Sequence, residues 1–380
     1  MTRRFRRALP RPEATPVELE FAWAAGIGEN GDAARGRRKS WGVWVFGRVV
    51  STVAAAVMLL LARGAAADES AVVVMYHRFG EGAFPATSIR LDQFDAHLAE
   101  LRQGGYTVLP LTEIVAALQA GRPLPERTVA ITIDDAWASV YREAWPRLRK
   151  AGFPFTVFVS TDDVDHRLPD HMTWEQIREL AASGISIGSQ GAAHLHMAAE
   201  SPEANAADLE RASRRLFEEL GEPPGLFAWP YGEASAAAMD GLAKAGVAIA
   251  FGQHSGVLQA GANMLYLPRF PLNEAFGDGE RFRTVVRGRP LPVSDLTPAD
   301  PLLAANPPAF GFTVADDVDG LERIACYTSH EGRMTIERLG RRVEARAATP
   351  FPAGRGRINC TLPDGGDWRW MGYQYYVPAQ

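Results

Sequence analysis

Two adjacent carboxylates, Asp134 and Asp135, close the run Val129-Ala-Ile-Thr-Ile133. A short apolar run stopped by charge reads as a buried strand whose end opens at a pocket. Successive strand residues point to opposite faces, so the two carboxylates are expected to do separate jobs, one as a base and one as a metal ligand. Alone, an Asp-Asp pair reads sooner as a solvated turn, because Asp is a favoured turn residue. Two further stretches carry polar or special residues behind apolar runs: Ser189 to His196, with His194 and His196, and Pro230-Tyr-Gly232. Convergence of three such ends is a stronger signal than any one of them.

The elements that must position these groups alternate along the chain. Short apolar runs predict strands at 72–76, 106–108, 129–133, 155–159, 185–187, 226–229, 247–251 and 265–267. Between them lie amphipathic stretches. Phe94, Leu98 and Leu101 recur at helical spacing before Gly104-Gly105. Helices are also expected from Thr112, over 141–151 before Gly152, and over 174–182 with Thr173 as cap. Two more are expected over 204–220 and 235–245. This rhythm predicts an α/β fold, a parallel (β/α) barrel, whose reacting groups sit at the carboxyl ends of the strands.

After Phe282 the texture changes. Proline is dense from Arg289 to Pro308, as in a linker or extended crossing. Val343, Ala345 and Ala347 then alternate with Arg342, Glu344 and Arg346, and Asp364-Gly-Gly-Asp367 marks a hairpin. Residues 296–380 are read as a small antiparallel β domain. Its aromatics, Trp368, Trp370, Tyr373, Tyr375 and Tyr376, could form a platform for sugar rings. Packing in strands and against the barrel is the preferred reading, since aromatics favour strands.

The chain has 380 residues, 47% hydrophobic and 22% charged, which is ordinary for a globular protein. A net charge of −5 argues against nucleic acid as a partner. Two cysteines, Cys326 and Cys360, are too few for a disulfide scaffold but could form one bridge in an exported chain. Residues 1–40 carry clustered arginines without an apolar period, as a disordered tail or a mis-assigned start. Residues 41–67 then hold an apolar run, Val49 to Ala62, between Arg48 and Arg63, followed by Gly64-Ala-Ala-Ala67. Basic, apolar and small-residue parts in that order predict a secretory signal, hence a periplasmic or secreted protein. An uncleaved inner-membrane anchor through 41–62 is the alternative.

The three strand ends resemble the polysaccharide deacetylases with the NodB-homology domain. Thr132-Ile-Asp-Asp135 stands for the first motif, Gly188-Ser-Gln-Gly-Ala-Ala-His-Leu-His196 for the second and Ala228-Trp-Pro-Tyr-Gly232 for the third. The likeness covers roughly 71–295, and Met75-Tyr-His77 through Leu109 is similar to the branch acting on poly-N-acetylglucosamine. It implies a distorted barrel and metal-dependent removal of acetyl groups from N-acetylhexosamine. The polymer would be poly-N-acetylglucosamine, chitin-like or peptidoglycan-like. It further implies that Asp134 is the general base, Asp135 and His194 are ligands of a divalent metal, with zinc expected, and the Tyr231 N–H lies in the oxyanion site. Gln190 replaces the family's first metal histidine and should weaken the metal, unless His196 or a water completes the site. Ala228 replaces an arginine that pairs with the base. His254 is the candidate for the late histidine that protonates the leaving amine. Trp229, Pro230 and His77 are placed at the substrate, and Arg269 is either a substrate contact or a structural ion pair. Two rival readings are a degenerate member that holds glycan without cleaving it and an O-acetyl esterase.

Overall fold

A computed structural model describes residues 69–379. The proposed leader, signal and anchor at 1–67 therefore lie outside the described residues. Among the described residues, no helix is long and apolar enough to cross a membrane.

Apolar, β-branched runs become the strands of a curled parallel sheet. They are β1 (Ser70–Tyr76), β2 (Thr128–Ile133), β3 (Thr156–Val159), β4 (Ser186–Ser189), β5 (Phe227–Ala228) and β6 (Ala250–Phe251), in spatial as well as sequence order. Every residue of β1, β2 and β3 is buried, as expected of parallel strands covered on both faces. The seventh strand, β7 (Phe270–Pro271), pairs with β1 in parallel, Phe270 opposite Val74. Leu267, just before it, bridges Phe251 of β6, so the segment 267–271 spans the gap between the two ends of the sheet. The sequence places this last strand at 265–267. Asn263 displaces it, because its side chain and carbonyl accept from the N–H groups of Leu265 and Tyr266 and hold those residues in a turn.

Around the sheet lie α1 (Leu91–Gln103), α2 (Leu111–Gln119), α3 (Trp145–Ala151), α4 (Trp174–Ala182), α5 (Pro202–Leu220), α6 (Ala236–Lys244) and α7 (Gly279–Val286). Thr173 caps α4 in a reciprocal pair with Gln176, and Ser201, Ser235 and Asp278 cap α5, α6 and α7. Each cap satisfies backbone donors that a helix start leaves open.

The chain then builds a sandwich of two antiparallel sheets. The first joins β8 (Val293–Thr297), β9 (Phe310–Val314), β12 (Arg342–Arg346) and β11 (Thr335–Leu339). The second is built on β10 (Ala325–Thr328), β13 (Gly354–Asp364) and β14 (Asp367–Val377). β13 and β14 form a hairpin over Gly365-Gly366, whose φ values of 60° and 95° need glycine. Phe310, Phe312, Val343, Ile358 and Tyr375 fill the space between the sheets, which leaves Tyr375 fully buried. Cys326 and Cys360 face each other in register and are disulfide-bonded. Tyr373 and Trp370 pack on Tyr266 and Phe270 of the barrel, so two of the five aromatics join the two parts. Trp368 is the one large exposed aromatic of that group.

Candidate active site

The two adjacent carboxylates part company at the end of β2, but strand alternation is not the cause. Asp135 turns the backbone into the left-handed region, φ 72°. Asp134 is driven inward and Asp135 toward the mouth. His194 (φ 52°) and Tyr231 (φ 58°) adopt the same unusual conformation. Such residues are uncommon and tend to collect at functional sites.

Asp134 is fully buried and takes a two-pronged bond from Arg269, Nη1–Oδ1 2.7 Å and Nη2–Oδ2 2.8 Å. Arg269 is itself fully buried. Its Nε donates to the Gly252 carbonyl and its Nη1 also to the Thr132 hydroxyl. Its guanidinium lies over the rings of Phe158 and Phe251. Thus the guanidinium absent at Ala228 reaches the aspartate from the segment before β7. A charge among Leu267, Pro268 and Phe270 demands a carboxylate partner once buried, and that is the signal the sequence offered.

Asp135 Oδ1 and His194 Nε2 stand 3.4 Å apart, and neither atom has a hydrogen-bond partner. Two atoms each about 2.0–2.2 Å from one zinc ion at a tetrahedral angle lie about 3.4 Å apart, whereas a good N–H···O bond is about 2.9 Å. The pair thus fits a shared cation. Asp135 Oδ2 accepts from the Trp137 indole at 3.1 Å. Burial acts to raise the Asp135 carboxyl, yet His194, His77 and Trp137 together hold it well below the usual carboxylate range. Burial lowers His194, but the Asp135 carboxylate outweighs it and the imidazole is raised.

Gln190 is buried beside them, with its Oε1 accepting from the Asp135 N–H at 3.2 Å and its Nε2 unpartnered. The amide therefore turns its oxygen to the backbone rather than into the pocket. No group of three His, Cys, Asp or Glu side chains able to hold a metal occurs among the described residues.

Several sequence expectations are corrected. His196 does not join the ligand pair: its Nδ1 meets Glu233 Oε2 at 2.7 Å and its ring stacks on Tyr231 at 4.1 Å. His254 is buried under Tyr266 and Tyr373, and burial, with Arg357 and Arg269 nearby, pushes it down to about 3. A ring kept neutral has no proton to lend at neutral pH. Trp229 is fully buried, its indole donating to the Leu265 carbonyl, and Pro230 is buried too, so neither offers a surface to substrate. His77 is half-buried and close enough to act on Asp135.

Two supporting residues carried no sequence signal. Asp208 of α5, almost fully buried, accepts from the N–H groups of Ala192 and Ala193 at 2.8 and 2.9 Å. The backbone passes so close at Gly191 (φ 79°) that a Cβ would lie 2.5 Å from Asp208 Oδ2. Gln374 of β14 reaches the Pro230–Gly232 turn. Both act across long sequence separations, which no local pattern encodes.

A family model described as polysaccharide deacetylase matches residues 121–250. Residues 121–250 are thus similar to a polysaccharide deacetylase domain. Among curated proteins, YxkH of Bacillus subtilis is 31% identical over 150 residues, 39% of this chain and 51% of that protein. The poly-beta-1,6-N-acetyl-D-glucosamine N-deacetylase of Escherichia coli K12 is 28% identical over 214 residues, 46% of this chain and 32% of that protein. The chain thus spans about half or less of the length of these two relatives. Among solved structures, IcaB from Ammonifex degensii superposes with a TM-score of 0.51 at 27% identity, covering 57% of this chain and 97% of that one. The curled parallel sheet is the fold of these deacetylases.

Proposed function

We propose that this deacetylase domain hydrolyses the acetamide of N-acetylhexosamine units in a polysaccharide, of which poly-N-acetylglucosamine is the first candidate, outside the cytoplasm. The observation that carries the reading is the unpartnered pair at the pocket mouth, Asp135 Oδ1 and His194 Nε2, 3.4 Å apart. A divalent cation held there supplies Lewis acidity, polarising the amide carbonyl and acidifying water. Asp134 is assigned to take the proton of the attacking water, through a lone pair that Arg269 would leave free. Arg269 fixes the orientation of that buried carboxylate. The backbone N–H of Tyr231 is assigned to the oxygen on which negative charge develops. Collapse of the tetrahedral adduct breaks the C–N bond and releases acetate and the amine, which receives the proton from Asp134.

With two donors and a Gln amide, zinc binding is expected to be weaker than at a site with three charged or imidazole ligands. The relative from Escherichia coli is named for poly-beta-1,6-N-acetyl-D-glucosamine, which supports that polymer as first candidate. The test is acetate release from oligomers of N-acetylglucosamine, with and without added zinc, by wild type and Asp134→Asn. Zinc-dependent release that the variant abolishes supports the reading. Release that survives in folded Asp134→Asn overturns the base assignment. A second reading, glycan held without cleavage, draws on the turned Gln190 amide. Binding of the oligomers without acetate release under any metal would favour it.

A further inference from the structure

The Pro230–Gly232 turn faces two ways. Toward the pocket, the Tyr231 ring lies edge-on to His194 at 4.4 Å and flat on His196 at 4.1 Å. On its other side the turn meets the sandwich. Gln374 of β14, fully buried, donates from Nε2 to the carbonyls of both Tyr231 (3.1 Å) and Gly232 (2.8 Å). Its Oε1 accepts from Arg357 Nε on β13 at 2.8 Å. Because an arginine can only donate and a carbonyl can only accept, this set fixes which end of the amide faces the turn. Tyr266 completes the brace, its hydroxyl 2.9 Å from the Gly232 carbonyl and 3.0 Å from that of Gln374.

The docking is close. A Cβ on Gly372 would fall 2.1 Å from the Ser255 carbonyl oxygen. Glu233, buried behind the turn, pairs with His196 and lies 3.9 Å from Arg355 of β13. The left-handed Tyr231, a conformation that side chains disfavour, is thus held from the second domain.

We infer that Gln374 is a positioning residue for catalysis: the sandwich sets the Tyr231 N–H, and the carboxyl-terminal sheet is part of the active site. This rests on the reading of Tyr231 as the oxyanion donor. A misaligned donor is a transition-state loss, so kcat should fall while ground-state binding and metal affinity stay. IcaB from Ammonifex degensii is matched almost end to end by 57% of this chain, so much of the rest has no counterpart there.

The experiment uses the full chain with Gln374→Met, which keeps volume and removes the donor. Zinc affinity, kcat and KM on N-acetylglucosamine oligomers are measured beside amide hydrogen exchange at 231–233. The expected result is a 10- to 100-fold lower kcat, KM and zinc affinity within about twofold, and at least tenfold faster exchange confined to the turn. Leu339→Ala, exposed on the other sheet of the sandwich, should leave all of these unchanged. Unchanged kcat and unchanged exchange in Gln374→Met overturn the inference. If exchange rises throughout the protein, Arg357→Met decides, because it frees the amide to rotate without removing it. A turn that stays as protected as wild type in that variant also overturns the inference. Absence of acetate release by wild type defeats the reading of function instead, and the exchange data still judge the brace.

Discussion

Two loops meet where the His194 and Tyr231 rings touch and are held by different parts of the chain. The loop carrying His194 is clamped by Asp208 of α5, within the barrel. The turn carrying Tyr231 is clamped by Gln374 of β14, in the sandwich. The barrel therefore holds the loop of the proposed cation donor His194 with its own helix α5, while the turn proposed for the oxyanion depends on a strand that follows it in sequence. Metal binding and turnover should accordingly be separable by mutation, and that separation can be broken or sharpened in order of expected effect.

The largest effect belongs to the floor that both loops share. Arg269→Met leaves the fully buried Asp134 carboxylate without its partner, which costs about 3–5 kcal/mol in comparable cases. A fall of that size in the unfolding free energy read from urea denaturation, with turnover lost, is expected. Arg269→Met combined with Asp134→Asn should recover part of the stability and none of the turnover. Recovered turnover in the double variant would remove the base from the account.

Next comes the barrel's own clamp. Asp208→Ala strips acceptors from two backbone N–H groups, at about 1–3 kcal/mol for each group left unsatisfied. Zinc affinity should fall together with turnover, read by metal titration of the folded variant. If turnover drops while zinc affinity holds, the two loops are not held separately as described.

The converse experiment loosens the sandwich. The disulfide joins residues 34 apart in sequence, a closure whose loss costs about 4 kcal/mol in the chain-entropy account. The Cys326→Ser, Cys360→Ser double variant should lose turnover in the temperature range where the sandwich loosens, with zinc affinity retained. Parallel loss of both would argue for one cooperative unit rather than two supports.

A smaller effect follows from pH. His97 is pushed down to about 4 by burial, its ring hydrogen-bonded to Tyr76 and Gly277 and stacked on Phe282. His254 is pushed down to about 3. Both folded values lie below the ordinary value of about 6.5, so the unfolded chain binds more protons between them. Stability is then complete above about pH 6.5 and is lost as pH falls toward 4 and below. For His97 the full loss is about 3 kcal/mol. Urea midpoints at pH 7 and pH 4.5 should differ, and His97→Gln should narrow the difference. An unchanged difference in that variant would assign the acid loss to other groups.

Much of this architecture is legible in the order of the amino acids. Apolar runs mark β1 to β3 closely because buried parallel strands need continuous apolar sequence. The period-two pattern at 342–347 and the Gly365-Gly366 hairpin announce the sandwich. What stays hidden is non-local. Nothing near Ala228 says that Arg269, from a different strand end, supplies the guanidinium for Asp134. Nothing near Tyr231 says that Gln374 holds it. Asp208 looks like any polar helix residue until α5 packs under the His194 loop. Position along the chain puts His254 and Trp229 at the pocket, but burial decides otherwise. The next turn of backbone, not the strand, chooses which of Asp134 and Asp135 faces out.

The most direct test is a zinc titration of the purified full chain with acetate release from N-acetylglucosamine oligomers measured at each point. The same titration is run on Asp135→Asn and His194→Gln. Acetate release is expected to rise with bound zinc, and both variants are expected to lose zinc affinity and release together. Acetate release that proceeds at the wild-type rate in folded, zinc-free variants would contradict a cation shared by Asp135 and His194.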